Sequence, residues 1–397
     1  MSSNNKRLMH VHEFLDLVVK SHVVDEKVLE DALLAAPEVV GGTLEQVARW
    51  LISKRFLTPF QIKTIRQRNV RGLVIDGYII LDYLGKGGTG VVYLARSPKG
   101  DLQALKVLPI SKQTSERTIL RFRREIALSQ FLSHPGIAAA YEAGETKHVH
   151  YLAMEYARGD TLYRLIRRTG PASPIEACRW ISQVAGALHY AHQMGVIHRD
   201  LKPSNVIIGP KGRTKLLDLG LARWIKDDEN EDRVVGVRRI VGSFDYIAPE
   251  QAADSSMADA RSDVYGLGCL LYFSLSGKPP FHHVKERKAK IAHHRRIHAE
   301  PLTHQRSEVP GGLDRDISCM LAKDPSDRFG SAGEVRAVLL EWIDALERGQ
   351  TEGEAGIPEA EPDFWDLDHM LEMEEELPSD LDSPDEPIPL DEDGMPT

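Results

Sequence analysis

The chemically suggestive residues begin with an unbroken run, His198, Arg199, Asp200, Leu201, Lys202, Pro203, Ser204 and Asn205. A carboxylate, an ammonium two residues later and an amide three beyond that can take a proton, neutralise a moving anion and give Mg²⁺ a hard oxygen. Leu216, Leu217, Asp218, Leu219 and Gly220 follow, ending an apolar run on a second carboxylate suited to bridging Mg²⁺ to phosphate oxygens. Far upstream, Gly85, Gly87 and Gly90 form a G-x-G-x-x-G, whose glycines let backbone N–H groups approach phosphate with no Cβ in the way. Dinucleotide-binding folds use the same letters, so this motif alone is a weak signal. Lys106 lies among Ala104, Leu105 and Val107, where a bare ammonium is expensive without an anionic partner. Glu125 and nucleotide phosphates are the candidates, although an exposed lysine and a solvated glutamate would account for these two letters taken alone.

The elements that must carry these residues favour one arrangement. After Gly90 the chain continues Val91-Val92-Tyr93-Leu94, a β-branched and aromatic run that reads as a returning strand, whereas a dinucleotide fingerprint would enter a helix. Strands are expected over Tyr78–Leu84, Val91–Ala95 and Leu102–Val107, and mainly helix after about Ser115, with Glu125 on a helix over Leu120–Phe131. A small sheet unit followed by a larger helical one is therefore expected, an α+β fold. The loop from His198 to Asn205 falls between an apolar helix and the apolar Val206-Ile207-Ile208.

Taken together these motifs resemble the protein kinase superfamily, specifically bacterial eukaryotic-like Ser/Thr protein kinases, over roughly residues 75–347. The resemblance implies a two-lobed fold and ATP-dependent phosphoryl transfer to Ser or Thr hydroxyls of proteins. By that resemblance, Gly85, Gly87 and Gly90 cover the ATP phosphates, Lys106 holds the α- and β-phosphates and pairs with Glu125, and Leu84, Val92 and Ala104 join the ATP site. Met154, Glu155 and Ala157 resemble the hinge that meets adenine, and Asp160 is a weaker candidate for the ribose. Asp200 would orient the acceptor hydroxyl and accept its proton, Lys202 would stabilise the moving phosphoryl, and Asn205 and Asp218 would bind Mg²⁺. Lys202, two residues after Asp200, is the Ser/Thr form of the loop. Ala248-Pro249-Glu250 matches the end of the family's activation segment, Asp263 the aspartate that braces the catalytic loop, and Arg328 the partner of Glu250. Leu219 replaces the family's usual Phe, and Ser243-Phe244 stands where Thr-Pro is common. Between Asp218 and Glu250 the only hydroxyls are Ser243 and Tyr246, so basal activity without loop phosphorylation is expected, with an acidic run from Asp227 to Asp232 as a fixed-charge alternative.

Composition bounds the remainder. Of 397 residues, 42% are apolar and 27% charged, which excludes a chain disordered throughout or embedded in a membrane. No run approaches the roughly 18 uninterrupted apolar residues a membrane helix needs, and Glu13 and Asp16 interrupt any secretory segment, so a soluble cytoplasmic protein is expected. Cys178, Cys269 and Cys319 lie far apart and read as reduced core thiols. Residues 1–72 show helical periodicity, and Leu17–Asp25 aligns with Trp50–Thr58 as a weak repeat offset by 33 residues. Asp25 and Thr58 are the expected N-caps, and the segment reads as a separable helical module for docking or regulation.

Residues 351–397 hold 18 Asp or Glu and no Lys or Arg, so a net charge of −9 conceals a body of +9. This acidic, Pro-rich tail, 350–397, is expected to be disordered, with a basic stretch from Lys285 to Arg296 as a conceivable docking surface. Protein substrates are the expected partners, with a further one conceivable through residues 1–72, and nothing points to nucleic acid. A pseudokinase scaffold is the alternative, and it would be marked by loss of Lys106, Asp200, Asn205 or Asp218. A small-molecule phosphotransferase would lack Ala248-Pro249-Glu250 and the Asp263 helix.

Overall fold

The computed structural model describes residues 9–87, 90–110, 115–218, 223–224 and 244–349. The expectations for Leu219, Gly220, Asp227–Asp232, Ser243 and the tail 350–397 lie outside these. Two compact units divide the described chain.

The first unit opens with short amphipathic helices, α1 (Val11–Lys20), α2 (Glu26–Leu34), α3 (Pro37–Val40), α4 (Leu44–Ser53) and α5 (Pro59–Arg66). The expected caps are present: Asp25 accepts from the Val28 amide, and Thr58 accepts from the Gln61 amide with Pro59 at the first helical position. The repeat is visible in the backbone, because His22 and Arg55, 33 residues apart, both take left-handed conformations with φ of 57° and 60°. Each ends a helix by turning the chain into a short link before the next cap.

A six-stranded sheet follows in the order β1-β2-β3-β4-β6-β5. Its strands are β1 (Val74–Ile75), β2 (Tyr78–Gly87), β3 (Gly90–Arg96), β4 (Leu102–Pro109), β5 (Ala140–Glu145) and β6 (Val149–Glu155). Toward the Gly-rich turn, β2 runs three residues and β3 one residue further than propensity indicates, since glycine weakens a strand pattern without preventing pairing.

One feature differs from the sequence expectation. Residues 1–72 read as a separable module, yet Phe14, Val18, Leu29, Val47, Leu51, Leu57, Ile62 and Ile65 share one buried core with Ile75, Ile80, Val91, Tyr93, Ala95 and Leu105. Phe60 and Tyr93 add a ring contact with centroids 6.2 Å apart. Periodicity shows that a helix has an apolar face. It does not show what covers that face, and here the cover is the sheet.

The second unit is mainly helical. It comprises α6 (Glu116–Phe131), α7 (Leu162–Thr169), α8 (Pro174–Gln193), α9 (Pro249–Ala253), α10 (Ala260–Ser276), α11 (Arg287–Arg296), α12 (Gly311–Met320) and α13 (Ala332–Gly349). The short strands β7 (Asp160–Thr161), β8 (Val196–Ile197), β9 (Val206–Ile208), β10 (Thr214–Leu216) and β11 (Arg223–Trp224) complete it. α8 begins with a Ser173–Glu176 capping box and Pro174, and its start is thereby set by sequence-local chemistry. α10 is buried almost throughout and forms the centre of the helical core with α8, α12 and α13, together with the buried thiols of Cys178 and Cys269. No helix among the described residues is long and apolar enough to cross a membrane.

Candidate active site

The loop from His198 to Asn205 lies between β8 and β9, so two short strands fix its ends. Its centre is organised by Asp263, near the start of α10, whose Oδ1 accepts from the Arg199 amide at 2.9 Å and whose Oδ2 accepts from the His198 amide at 2.9 Å. Oδ2 also meets His192 Nε2 at 2.8 Å. Burial pushes the Asp263 carboxyl up, but the hydrogen bond and charge of His192, with help from His198, more than offset this and hold it low. A buried anion with these donors is a rigid clamp on the backbone. It also permits the strained conformation of Arg199, which is not glycine yet has φ of 68°.

Around the clamp, Lys202 Nζ donates to Asp200 Oδ2 at 2.7 Å, and Asn205 Nδ2 donates to the Asp200 carbonyl at 2.9 Å. The Leu217 amide donates to the Asn205 carbonyl at 2.8 Å, which seats the residue before Asp218 against the loop. Asp200 and Asn205 are buried and Lys202 is half-buried. The structure therefore brings Asp200, Lys202 and Asn205 into one hydrogen-bonded group and ties the Asp218 strand end to it. Asp218 itself has φ of 59°, a further non-glycine residue in the left-handed region.

A buried ion pair fixes the end of the intervening segment. Arg328 donates to both carboxylate oxygens of Glu250 at 2.8 Å, and Ser262 Oγ donates to Glu250 Oε1 at 2.6 Å. Gln251 Nε2 donates to the Arg199 carbonyl at 3.0 Å, linking α9 back to the loop from His198 to Asn205. Tyr246 packs edge-on against Phe273, and burial pushes its hydroxyl pKa up. Asp160 pairs with Arg168 at 2.5 Å.

In the first unit, Gly85 pairs with Val92 and Gly87 with Gly90 across the hairpin, and Leu84 occupies a register shift between Tyr83 and Gly85. A Cβ on Gly90 would stand 2.4 Å from the Val107 carbonyl oxygen, so packing alone requires glycine there. A Cβ on Gly85 would meet no atom within 4 Å, so packing does not explain that glycine, and the open space suits the close approach of a phosphate-bearing ligand. Val92 pairs with Lys106, and Ala104 pairs with Met154, which places the candidate ATP residues of β3, β4 and β6 in adjacent register. Glu155 ends β6, and Ala157 follows two residues later. Lys106 is buried in β4, and Glu125 is buried on α6. Local reading missed His192 and Gln251, whose roles depend on partners 71 and 52 residues away.

The two-unit fold and this loop are those of the protein kinase domain. The protein kinase domain family matches residues 78–339, and the chain belongs to that family. It is similar to the serine/threonine-protein kinase PknB of Mycolicibacterium smegmatis, with 37% identity over 271 residues, covering 67% of this chain and 43% of that protein. PknB of Mycobacterium tuberculosis is 38% identical over 271 residues, covering 67% of this chain and 42% of its own length. The serine/threonine-protein kinase PrkC of Bacillus subtilis is 34% identical over 271 residues, with 68% and 41% covered. The chain thus spans less than half the length of these curated relatives.

Proposed function

We propose that this chain is a Ser/Thr protein kinase that transfers the γ-phosphoryl group of ATP to hydroxyls of protein substrates, acting in intracellular signalling in the cytoplasm. The observation that carries the reading is the Asp263-clamped loop, in which Asp200 and Lys202 lie 2.7 Å apart. Asp200 would accept a hydrogen bond from the acceptor hydroxyl. As the hydroxyl oxygen bonds to the γ-phosphorus and the bond to the β–γ bridging oxygen breaks, the proton passes to Asp200 and ADP leaves. Lys202, anchored on the same carboxylate, supplies positive charge beside the transferring group.

Mg²⁺ is the proposed metal, held by Asn205 and Asp218. The amide of Asn205 is oriented by its bond to the Asp200 carbonyl, and an amide oxygen with one carboxylate is a donor set that suits a hard cation sharing phosphate oxygens. Mg²⁺ would neutralise charge on the phosphates. The residues whose loss would mark a pseudokinase, Lys106, Asp200, Asn205 and Asp218, are all present. Incubation of the full chain with radiolabelled ATP, Mg²⁺ and casein or myelin basic protein tests the proposal. Labelled Ser or Thr in the substrate, abolished in Asp200→Asn, is the expected outcome, and no label with well-folded wild type would overturn it. Comparative phosphoproteomics of cells with and without Asp200→Asn would then define physiological substrates.

A further inference from the structure

Among the described residues, β1 pairs with β2 at Tyr78 and Ile79. Just past that point the register of β2 against β3 shifts between Ile80 and Asp82, a bulge that leaves Leu81 as the extra residue. In a regular strand the carbonyls of consecutive residues face opposite edges. Here both the Ile80 and the Leu81 carbonyls accept hydrogen bonds from one place, the N-terminus of α5: Gln61 Nε2 donates to Ile80 O and Thr58 Oγ1 donates to Leu81 O, each at 2.6 Å.

The same two side chains form the capping box of α5. The Thr58 amide donates to Gln61 Oε1 at 2.8 Å, and the Gln61 amide donates to Thr58 Oγ1 at 3.2 Å. Each side chain therefore satisfies its own helix end with one function and the bulged strand with the other. Both are almost wholly buried, Thr58 at 4% exposure and Gln61 at 1%. An ordinary capping box faces solvent, as that of Thr43 and Gln46 does in α4. A second contact runs in parallel, since Phe60 packs on Tyr93, which packs edge-on against Tyr83 at 6.2 Å.

We infer that Thr58 and Gln61 are positioning residues for nucleotide binding, which hold the β2 bulge and so set the register of Leu84, Gly85 and Gly87. The inference rests on the ATP-binding reading of that hairpin. The bulge lies three residues before Leu84, where β2 shifts register a second time, and a slip of one residue at the first shift would turn Asp82 and Tyr83 to the opposite face and displace the entry to the second. Removing either donor leaves a buried carbonyl without its partner, and the strand relaxes toward a regular ladder.

The test uses the full chain with Thr58→Val, Gln61→Leu and Thr58→Ser, measuring KM for ATP, kcat, KM for a peptide substrate, ATP binding, melting temperature and amide exchange at residues 82–87. Thr58→Val and Gln61→Leu should raise KM and Kd for ATP about threefold to tenfold, with faster exchange at residues 82–87 and peptide KM unchanged. Thr58→Ser keeps the hydroxyl and should restore ATP affinity. Gln61→Asn withdraws the amide without removing it, and provides the same comparison if the apolar variants do not fold. A lowered melting temperature with ATP affinity and exchange unchanged would overturn the inference, since the bonds would then serve stability alone. Failure of the ATP-binding reading would instead appear in wild type, as absence of ATP binding before any variant is considered.

Discussion

A single carboxylate, Asp263, accepts two consecutive backbone amides and one imidazole, and the catalytic loop depends on that convergence. Proton acceptance and charge stabilisation can then be lost without unfolding. Lys106→Ala, Asp200→Asn and Asp218→Asn should each cut phosphoryl transfer by at least about a hundredfold while leaving the protein folded by far-UV circular dichroism. Activity near wild type in any of the three would remove that residue from the site. Arg328 gives the opposite signature because its role is structural. It bonds both oxygens of Glu250 and the carbonyls of Ala322 and Arg261, and its side chain is fully buried. Arg328→Met strands a buried carboxylate and should cost about 3–5 kcal/mol of stability by denaturant unfolding. Arg328→Lys should recover little of it, since one ammonium cannot match a planar fork. The candidate catalytic carboxylates, Asp200 and Asp218, stand out in sequence because their motifs are local and dense. Asp263 and Arg328 became legible only through family resemblance, their partners being remote in the chain.

Helix α11 shows what an element conceals from a sequence reading. Its composition indicates a basic, solvated helix, and Arg287, Lys288, Arg295 and Arg296 are indeed exposed. His294 is fully buried, however, with Nδ1 2.8 Å from the Tyr265 hydroxyl and its ring edge-on to Phe281. Burial, reinforced by the charges of Lys323 and Lys290, pushes its pKa down to about 3. The folded chain therefore keeps this imidazole neutral, while the unfolded chain protonates it near pH 6.5. Below that pH the unfolded state binds more protons, so this stabilisation is complete above 6.5 and is lost as pH falls toward 3. At pH 5 the loss should be about 2 kcal/mol relative to pH 7. His294→Gln can keep a bond to Tyr265 without titrating, and chemical unfolding at pH 5 and 7 should show a flatter pH dependence than wild type. An equal slope in both would place the acid sensitivity elsewhere. No periodicity marks the inward residue here, because His293, His294, Arg295 and Arg296 are all polar. The caps at Asp25 and Thr58 were readable, since each capping side chain and the amide it bonds lie three residues apart in the chain.

At the scale of the molecule, the N-terminal helices and the sheet bury one core, and this decides how truncation should behave. α1, α4 and α5 are joined by apolar packing and by the ion pairs Arg66–Glu45 at 2.6 Å and Arg68–Glu13 at 2.5 Å. Those exposed pairs contribute little by themselves, so the helices depend on their shared apolar face. Removing residues 1–70 would uncover Ile80, Tyr93 and Ala95, now between 0% and 7% exposed, and would return the Ile80 and Leu81 carbonyls to water. A contiguous apolar patch of this kind on the face of a sheet promotes association. The chain from Arg71 to Thr397 should therefore melt lower than full length, bind a hydrophobic dye and elute as aggregate in gel filtration. Residues 1–70 alone should lack cooperative unfolding, because their helices are too short to persist without packing. Adding that fragment in trans should raise the melting temperature of the shortened chain and suppress dye binding, in a concentration-dependent way. A shortened chain that is monomeric, dye-free and as thermostable as full length would show that the sheet does not need this cover, and would restore the view of the helices as a separable module.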